Sequence, residues 1–305
     1  MTAGSQLRAD GPPPSDGHTE DVGAAPGGTS FLRRFRRNRV GMVALAVLVF
    51  MVLVAVFAPL LAPHEPDQGE LARALEGPSA DYLLGTDDLG RDVLSRLIHA
   101  SRVSLSASAL AIGVALLLGL PLGLISGYCG GWVDNVIMRV NDALMSFPAL
   151  ILAVVIVGLL GPNLSNAMLA IGLVYAPRIM RVVRGSALSV REEVYVMSAR
   201  ATGCGPLRIT GRHILPNILS PLVVQTTIML GLAILAEAGL SFLGLGVQPP
   251  TASWGSILGR AFPYMITTPV TVIAAGLAIS LVVLAFNLLG DAFRDSLGRE
   301  RRDRS

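Results

Sequence analysis

The chain has 305 residues, of which 52% are hydrophobic and 15% charged, with a mean hydropathy of +0.62 and a formal net charge of +3. A soluble domain of this size usually carries about 25% charged residues, so the composition predicts an integral membrane protein rather than a soluble enzyme. All 24 basic residues are arginines; without lysine, the chain lacks the residue that a P-loop or a Schiff-base enzyme needs.

The N-terminal region predicts a tail followed by a membrane span. Residues 1–30 are rich in Gly, Pro and Ser and nearly lack bulky apolar side chains, which predicts a disordered tail. Five arginines lie between Arg33 and Arg39, and residues 40–62 then form a run of 23 without a charge. As a helix, this run can cross a hydrocarbon core of roughly 30 Å. Its length and late start favour a retained span over a cleaved signal peptide.

The acidic segment 63–101 follows the first span and carries eight Asp or Glu residues against three Arg. Its motif DDLGRDVLSRLIHAS places Leu89, Val93 and Leu97 on one helical face. We interpret it as an amphipathic helix on the outer membrane surface, or as part of a protein-docking surface. Its aspartates lack the spacing of a calcium loop, so we expect no metal there.

Five more apolar stretches follow, at approximately residues 104–128, 136–160, 164–183, 218–240 and 269–290. With the first, they predict an all-α membrane fold of six spans with both termini on one side. Of the 24 arginines, 19 lie in the two tails, at Arg139 or within residues 178–217, so the positive-inside rule makes these segments cytoplasmic. The regions are a tail (1–30), the first span with its external loop (31–103), a five-helix core (104–292) and a basic tail (293–305).

A few polar residues within the spans are candidate pathway or gate residues. Glu237 lies late in the fifth span, and an acid at the membrane centre costs about 2.5–3.5 kcal/mol, so its carboxyl needs a partner. We predict a structural hydrogen bond near the external gate, with direct contact to cargo as the alternative. The same alternatives apply to Asp142, and Ser241 and Phe242 complete this set. We predict no catalytic or metal-binding residues.

Small residues and loops give three further expectations. A stripe of glycines at every fourth position, Gly119, Gly123 and Gly127, predicts close packing against another span. Trp254, within GLGVQPPTASWG, is expected in an external interfacial loop. The two cysteines, Cys129 and Cys204, have no CxxC spacing, and we expect both reduced and unpaired in the cytoplasm.

A basic insert interrupts the apolar pattern between the fourth and fifth spans. Ser189 and Glu192 fit a capping box, which predicts a helix beginning there. Its apolar stripe would consist of Val190, Val194, Met197 and Ala201.

The insert also contains residues that suit a turn and a second helix. Gly203 supplies the left-handed residue that ends a helix, Pro206 suits the first turn of a second short helix, and Pro216 marks re-entry into the membrane. This predicts a helix–turn–helix at the cytoplasmic face. We prefer a docking surface for a cytoplasmic partner over a solvated loop, and we reject DNA binding because membrane spans flank the insert.

Three motifs resemble ABC-importer permeases. SARATGCGPLRITGRHILPN resembles their cytoplasmic coupling motif: Ala199, Gly203, Leu215 and Pro216 match, whereas Met197, Ser198 and His213 depart from the pattern. LLGTDDLGRDVLSRLIHASRVSL and LAEAGLSFLGLGVQPPTASWG resemble the C-type subunit of the dipeptide/oligopeptide/nickel branch.

This resemblance implies a type I permease fold in a bacterial cell membrane, without catalytic chemistry or a cofactor of its own. Implied partners are the lipid bilayer, a homologous second permease, two cytoplasmic ATPases that hold ATP and Mg²⁺, and an external substrate-binding protein. Nucleic acid is not among them. The implied cargo is dipeptides or oligopeptides, with nickel chelates, glutathione-like molecules or haem as alternatives. The implied coupling helices cover residues 189–216, with coupling residues Met197, Ser198, Ala199, Arg200, Ala201, Gly203, Pro206, Leu207, Arg208, Leu215 and Pro216.

Two other function classes compete with a permease subunit. A self-contained secondary transporter or channel normally needs several buried ionisable groups, and here only Asp142 and Glu237 qualify. An intramembrane hydrolase would need an HExxH motif or paired intramembrane aspartates, which the sequence lacks. Neither class has a use for the basic insert, so we favour the permease.

Overall fold

The computed structural model describes residues 28–302, with side chains described from residue 33 to residue 297. The expected disordered tail lies outside the described residues, apart from residues 28–30, which begin the first helix. The described residues form α1 (Gly28–Arg37), α2 (Arg39–Val56), α3 (Ala58–Leu61), α4 (Val93–Cys129), α5 (Gly131–Met145), α6 (Ala149–Leu160), α7 (Leu164–Arg191), α8 (Val194–Ala201), α9 (Pro206–Ile209), α10 (Leu215–Phe242), α11 (Trp254–Ala261) and α12 (Pro269–Arg302). A π-helical turn, Thr210–Ile214, joins α9 to α10, so Pro206–Phe242 is one helical segment.

Among the described residues, five helical segments are long and apolar enough to cross a membrane: Arg39–Val56, Val93–Cys129, Leu164–Arg191, Pro206–Phe242 and Pro269–Leu297. A sixth candidate is the pair α5 and α6, which is bent by 90°. The predicted span over residues 136–160 is therefore not one straight helix. The helix breaks before Pro148, because proline has no N–H to donate and disfavours helical backbone at the preceding Phe147.

Helices continue beyond the apolar runs that predicted them. The second span begins at Val93 rather than near residue 104, with Asp92 at its N-cap accepting a hydrogen bond from the Ser95 amide at 3.0 Å. The predicted amphipathic helix on the membrane surface is wrong, because Val93 and Leu97 are buried at the start of this span. At the other end of the chain, α12 runs through the predicted tail as far as Arg302.

The glycine stripe of α4 packs against α7, which confirms the prediction that it faces another span. A Cβ at Gly119 or Gly123 would lie 2.7 Å from the backbone oxygen of Ala176 or Met180, respectively. A Cβ at Gly127 would lie 2.7 Å from the Cβ of Ala187. Real Cβ atoms do not approach so closely, so only glycine allows this spacing of the two backbones.

A second core cluster joins α2 to α12 and to the α10–α11 region. It contains Ala44 and Leu48 from α2 together with Ile279 and Val282 from α12. The buried indole of Trp254, at the start of α11, belongs to the same cluster. The first span is therefore packed onto the last one.

Candidate functional site

The helix α8 is held in place from the end of α7. The Arg191 guanidinium donates through Nη1 to the carbonyl oxygens of Gly127 (3.3 Å) and Tyr128 (3.2 Å) at the C-terminal end of α4. The predicted capping box is wrong, because Ser189 lies inside α7. Instead α8 follows Glu193 at its N-cap, without a side-chain cap hydrogen bond.

The buried face of α8 differs from the predicted one. Val196 is fully buried in the larger of the two core clusters, which also contains Ile209 and Ile214 of the next segment. Within the predicted stripe, Val190 belongs to α7, and Val194 and Met197 are 71% and 52% exposed. Periodicity failed here because the helix boundary lies four residues later than the capping box predicted.

The turn after α8 is the one that the sequence predicted. Gly203 has φ +79°, the left-handed conformation that favours glycine. Its N–H donates to the Arg200 oxygen (3.0 Å) and the Cys204 N–H donates to the Ala199 oxygen (3.0 Å). This pair of hydrogen bonds is a Schellman motif, which satisfies the last carbonyls of α8.

The segment after the turn is not a separate short helix. Pro206 does occupy the first turn of α9, as predicted, with Gly205 at the N-cap. The helix then continues through the π-helical turn into α10, so Pro216 lies within one helical segment. Re-entry into the membrane at Pro216 stays a prediction. The turn at Gly203 is therefore attached directly to a long span.

The residues that face outwards from α8 and α9 form a compact surface, which we call the α8–α9 surface. Leu207 is 90% exposed. Met197 is also exposed, but its uncharged side chain cannot make the contact that a glutamate would make. The Arg200 guanidinium lies 5.0 Å from the ring centre of Tyr128, which fixes one edge. Ala199 and Leu215 are half-buried, whereas Gly203, Pro206 and Pro216 are exposed. The α8–α9 surface comprises Val194, Tyr195, Met197, Ser198, Arg200, Ala201, Leu207 and Arg208.

An ion pair that the sequence analysis did not identify holds α5 against α4 and α7. The Arg184 guanidinium binds Asp134 in a bidentate manner, with Nε–Oδ1 and Nη2–Oδ2 distances of 2.5 and 2.6 Å. The Ser126 hydroxyl donates to the same carboxylate. Bidentate arginine–carboxylate pairs are strong and directional. Fifty residues separate the partners, so no local pattern could reveal the pair.

The carboxylate of Glu237 is fully buried and hydrogen-bonded, as expected for an acid in a span. The Ser241 hydroxyl donates to Oε1 (2.6 Å) and the Ser104 hydroxyl donates to Oε2 (3.2 Å). Each hydroxyl in turn accepts a backbone N–H: Ser241 from Val247 (3.2 Å), and Ser104 from Trp254 (3.2 Å). Glu237 therefore orients two serines that hold the segment between α10 and α11.

The other predicted pathway residues lie in different surroundings. Phe242 is partly exposed and its ring meets Phe262 edge-on, with centroids 5.6 Å apart. Asp142 pairs with Arg181 at 2.8 Å, and both side chains are more than half exposed. Neither is part of the Glu237 hydrogen-bond network, and their role at a gate stays a prediction.

Trp254 is not in an interfacial loop, so that prediction is wrong. Its indole is buried, and Nε1 donates to the Leu97 carbonyl oxygen at 3.1 Å. Gly255 packs so closely on α10 that a Cβ would lie 2.4 Å from the Cα of Ala238. The helix α11 thus fills the space between α4 and α10.

Ion pairs hold the loop after α3 together and connect it to α11. The carboxylate of Asp88 binds Arg260 of α11 at 2.8 Å, and that of Asp87 binds Nε of Arg91 at 2.8 Å. Burial alone would raise the pKa of Asp87, but hydrogen bonds from the Arg91 side chain and from the N–H groups of Arg91 and Leu89 outweigh it and lower this pKa. The loop is therefore a folded element attached to α11.

Two family models match the chain. The model described as "Binding-protein-dependent transport system inner membrane component" matches residues 119–303. The model described as "N-terminal TM domain of oligopeptide transport permease C" matches residues 28–78. Together they cover the first span, part of the loop after it and most of the remaining helices.

Relatives and solved structures agree with these matches. The dipeptide transport system permease protein DppC of Alkalihalophilus pseudofirmus is 42% identical over 286 residues, which are 94% of this chain and 93% of that protein. The glutathione transport system permease protein GsiD of Pectobacterium atrosepticum is 40% identical over 268 residues, 88% of this chain and 89% of that protein. A chain of the inward-facing MetNI methionine ABC transporter is similar in fold, with a TM-score of 0.56, 21% identity and coverage of 67% of this chain and 96% of that chain.

Proposed function

The chain belongs to the family of binding-protein-dependent transport system inner membrane components, and we propose that it is the permease subunit of an ATP-driven importer of short peptides. The relatives named above are permeases for dipeptides and for glutathione, itself a tripeptide. Short peptides are therefore the cargo class that these relatives share. Transport would proceed by alternating access between two orientations of the membrane helices.

We further propose six spans, with the bent pair α5 and α6 as the third, in the inner membrane of a bacterium. Nineteen of the 24 arginines lie in the tails, at Arg139 or within residues 178–217, which supports a cytoplasmic location for both termini and for α8. The folded loop that carries Asp87 and Asp88 then faces outwards. This is the side on which a substrate-binding protein would deliver cargo.

The observation that carries the proposal is the α8–α9 surface. It exposes apolar and cationic side chains outside the spans, yet Val196 and the Schellman turn hold it rigidly. An ordered, partly apolar surface of this kind suits a protein partner better than solvent. We propose that one of two cytoplasmic ATPases docks here and that a second permease completes the channel. ATP and Mg²⁺ would bind to the ATPases, and this chain would contribute no cofactor site.

The turn at Gly203 provides a test with a matched control. We expect Gly203→Val to insert normally but to lose ATP-dependent uptake, because valine is strained at φ +79°. A Cβ added at Gly203 or at Gly205 would meet no neighbouring atom, so the two positions do not differ in crowding. They differ in backbone conformation, because Gly205 has φ −68° and precedes a proline, where valine is tolerated. Gly205→Val should therefore keep uptake, so the comparison isolates the backbone geometry of the turn.

The assay combines a detergent pull-down of the tagged chain with uptake of a radiolabelled dipeptide. Co-purification of a P-loop ATPase and a second permease, reduced by Gly203→Val, is the expected result. Competition by glutathione, by a nickel chelate or by haem then ranks the cargo. A lone chain that moves solute in liposomes without ATP would replace the proposal by a self-contained secondary transporter. Unchanged uptake in the Gly203 variant would remove the coupling role of the turn.

A further inference from the structure

The helix α1 is fixed against the end of the last span. The Phe35 side chain is only 5% exposed, and its ring lies 5.3 Å from that of Phe293 on α12. The chain then leaves helical geometry at Asn38 (φ −82°, ψ 96°), whose side chain accepts a hydrogen bond from the Gly41 amide at 3.0 Å. A short helix, packed against α12, therefore precedes the first span directly.

The opposite face of α1 is cationic. Arg33, Arg36 and Arg37 are spaced i, i+3 and i+4, so they share one helical face, and all three are exposed. Phe35 lies about half a turn away, on the packed side. We call these three residues the arginine face.

No ion pair between described residues involves any of the three arginines. The sequence contains no Asp or Glu between Asp21 and Glu65. Asp295 of α12 borders a cleft with Arg34 and Arg37, at the side of the arginine face.

The neighbouring span fixes the depth of the arginine face. The helix α2 begins at Arg39, immediately after the break, and exposes Val43 and Phe50 on its outer side. Such side chains suit contact with lipid tails, so α1 lies at the level of the lipid headgroups. Guanidinium groups bind phosphate oxygens through paired N–H donors.

We propose that the arginine face binds the headgroup phosphates of anionic phospholipids, such as phosphatidylglycerol. The charge complementarity and the position beside a lipid-facing span favour lipid over a soluble partner. This inference goes beyond transport and requires only that α2 lies in a bilayer. Its effect is to attach the α1–α12 contact to the membrane surface.

The test titrates phosphatidylglycerol, with phosphatidylcholine as the comparison lipid, into the detergent-purified full chain with its co-purifying partners. Bound lipid is counted by native mass spectrometry. The key variant is Arg33→Gln/Arg36→Gln, and its matched control is Arg33→Lys/Arg36→Lys, which keeps the charge. Each cation near an anionic surface contributes about 1 kcal/mol, so the Gln variant should bind phosphatidylglycerol about 30-fold more weakly. The Lys variant keeps the net charge but not the paired N–H donors, so it should bind phosphatidylglycerol more tightly than the Gln variant and no more tightly than the original chain.

Several results would overturn the proposal. Equal binding by the Gln variant and the original chain would do so, as would equal binding of the two lipids by the original chain. Loss of a co-purifying ATPase in the Gln variant, with lipid binding intact, would assign the face to a protein partner instead. If the double variant does not give monodisperse protein, the single variants Arg33→Gln and Arg36→Gln should each bind about fivefold more weakly.

Discussion

Substitution of Glu237 removes the acceptor on which two buried serine hydroxyls depend. In Glu237→Leu, the hydroxyls of Ser104 and Ser241 lose the carboxylate oxygens at 3.2 and 2.6 Å. A buried donor left without an acceptor costs about 1–3 kcal/mol, so two donors cost about 2–6 kcal/mol. Rotation of either hydroxyl towards a helix carbonyl would bring the cost to the lower end of this range.

Glu237→Gln should be milder, because the amide keeps one carbonyl oxygen in place. One serine retains its acceptor, and the other loses its hydrogen bond to a carboxyl oxygen. We expect a loss of about 1–2 kcal/mol. The amide N–H₂ can also donate to the second hydroxyl, which keeps the segment that begins at Val247 attached to α10.

The assay is thermal unfolding of the detergent-purified chain, ranked across the two variants and followed by uptake in reconstituted vesicles. Glu65→Leu serves as the control, because Glu65 is exposed and makes only a 3.5 Å contact with Gln68. The expected order of unfolding temperatures is original chain, then Gln, then Leu. Equal unfolding temperatures for the Gln and Leu variants would refute the reasoning, because hydrogen bonds from the side chain at position 237 would then make no difference to stability.

Two further predictions concern packing and pH. Gly123→Val should destabilise the chain by about 1–3 kcal/mol, because its Cβ would lie 2.7 Å from the Met180 oxygen. The control is Gly113→Val, which adds a side chain in open space and should unfold at the same temperature as the original chain. Because the folded-state pKa of Asp87 is lowered, its stabilising contribution is present above the ordinary carboxyl pKa of about 4 and lost as pH falls through the folded value. The unfolding temperatures of the original chain and Asp87→Asn should therefore differ at pH 7, and this difference should shrink as pH falls below about 4 and through the lower folded pKa of Asp87. A constant difference at all pH values would contradict this.

The sequence predicted those parts of the structure that depend on local chemistry. Apolar runs located the spans, because the bilayer requires long uncharged helices. Gly203 and Pro206 located the turn, because glycine is favoured just after the end of a helix and proline in the first turn of the next one. The Gly119–Gly127 stripe predicted a close helix contact, although it could not name α7 as the partner.

The errors come from boundaries and from distant partners. The capping box at Ser189 was outweighed by the continuation of α7, which Arg191 attaches to the end of α4. The break before Pro148 had a visible signal, the restricted residue that precedes a proline, but the apolar pattern on both sides concealed it. The burial of Trp254 had no visible signal in the sequence, because the acceptor of its indole N–H is the carbonyl of Leu97, 157 residues earlier in the chain.

The glycine contacts between α4 and α7 restrict which motions the protein can make. The two backbones touch where a methyl group would not fit, and interlocked surfaces of this kind cannot slide without first separating. The Asp134–Arg184 pair adds the start of α5 to the same unit. These helices therefore behave as one rigid body with few internal degrees of freedom. Any hinge between helices must therefore lie outside this body.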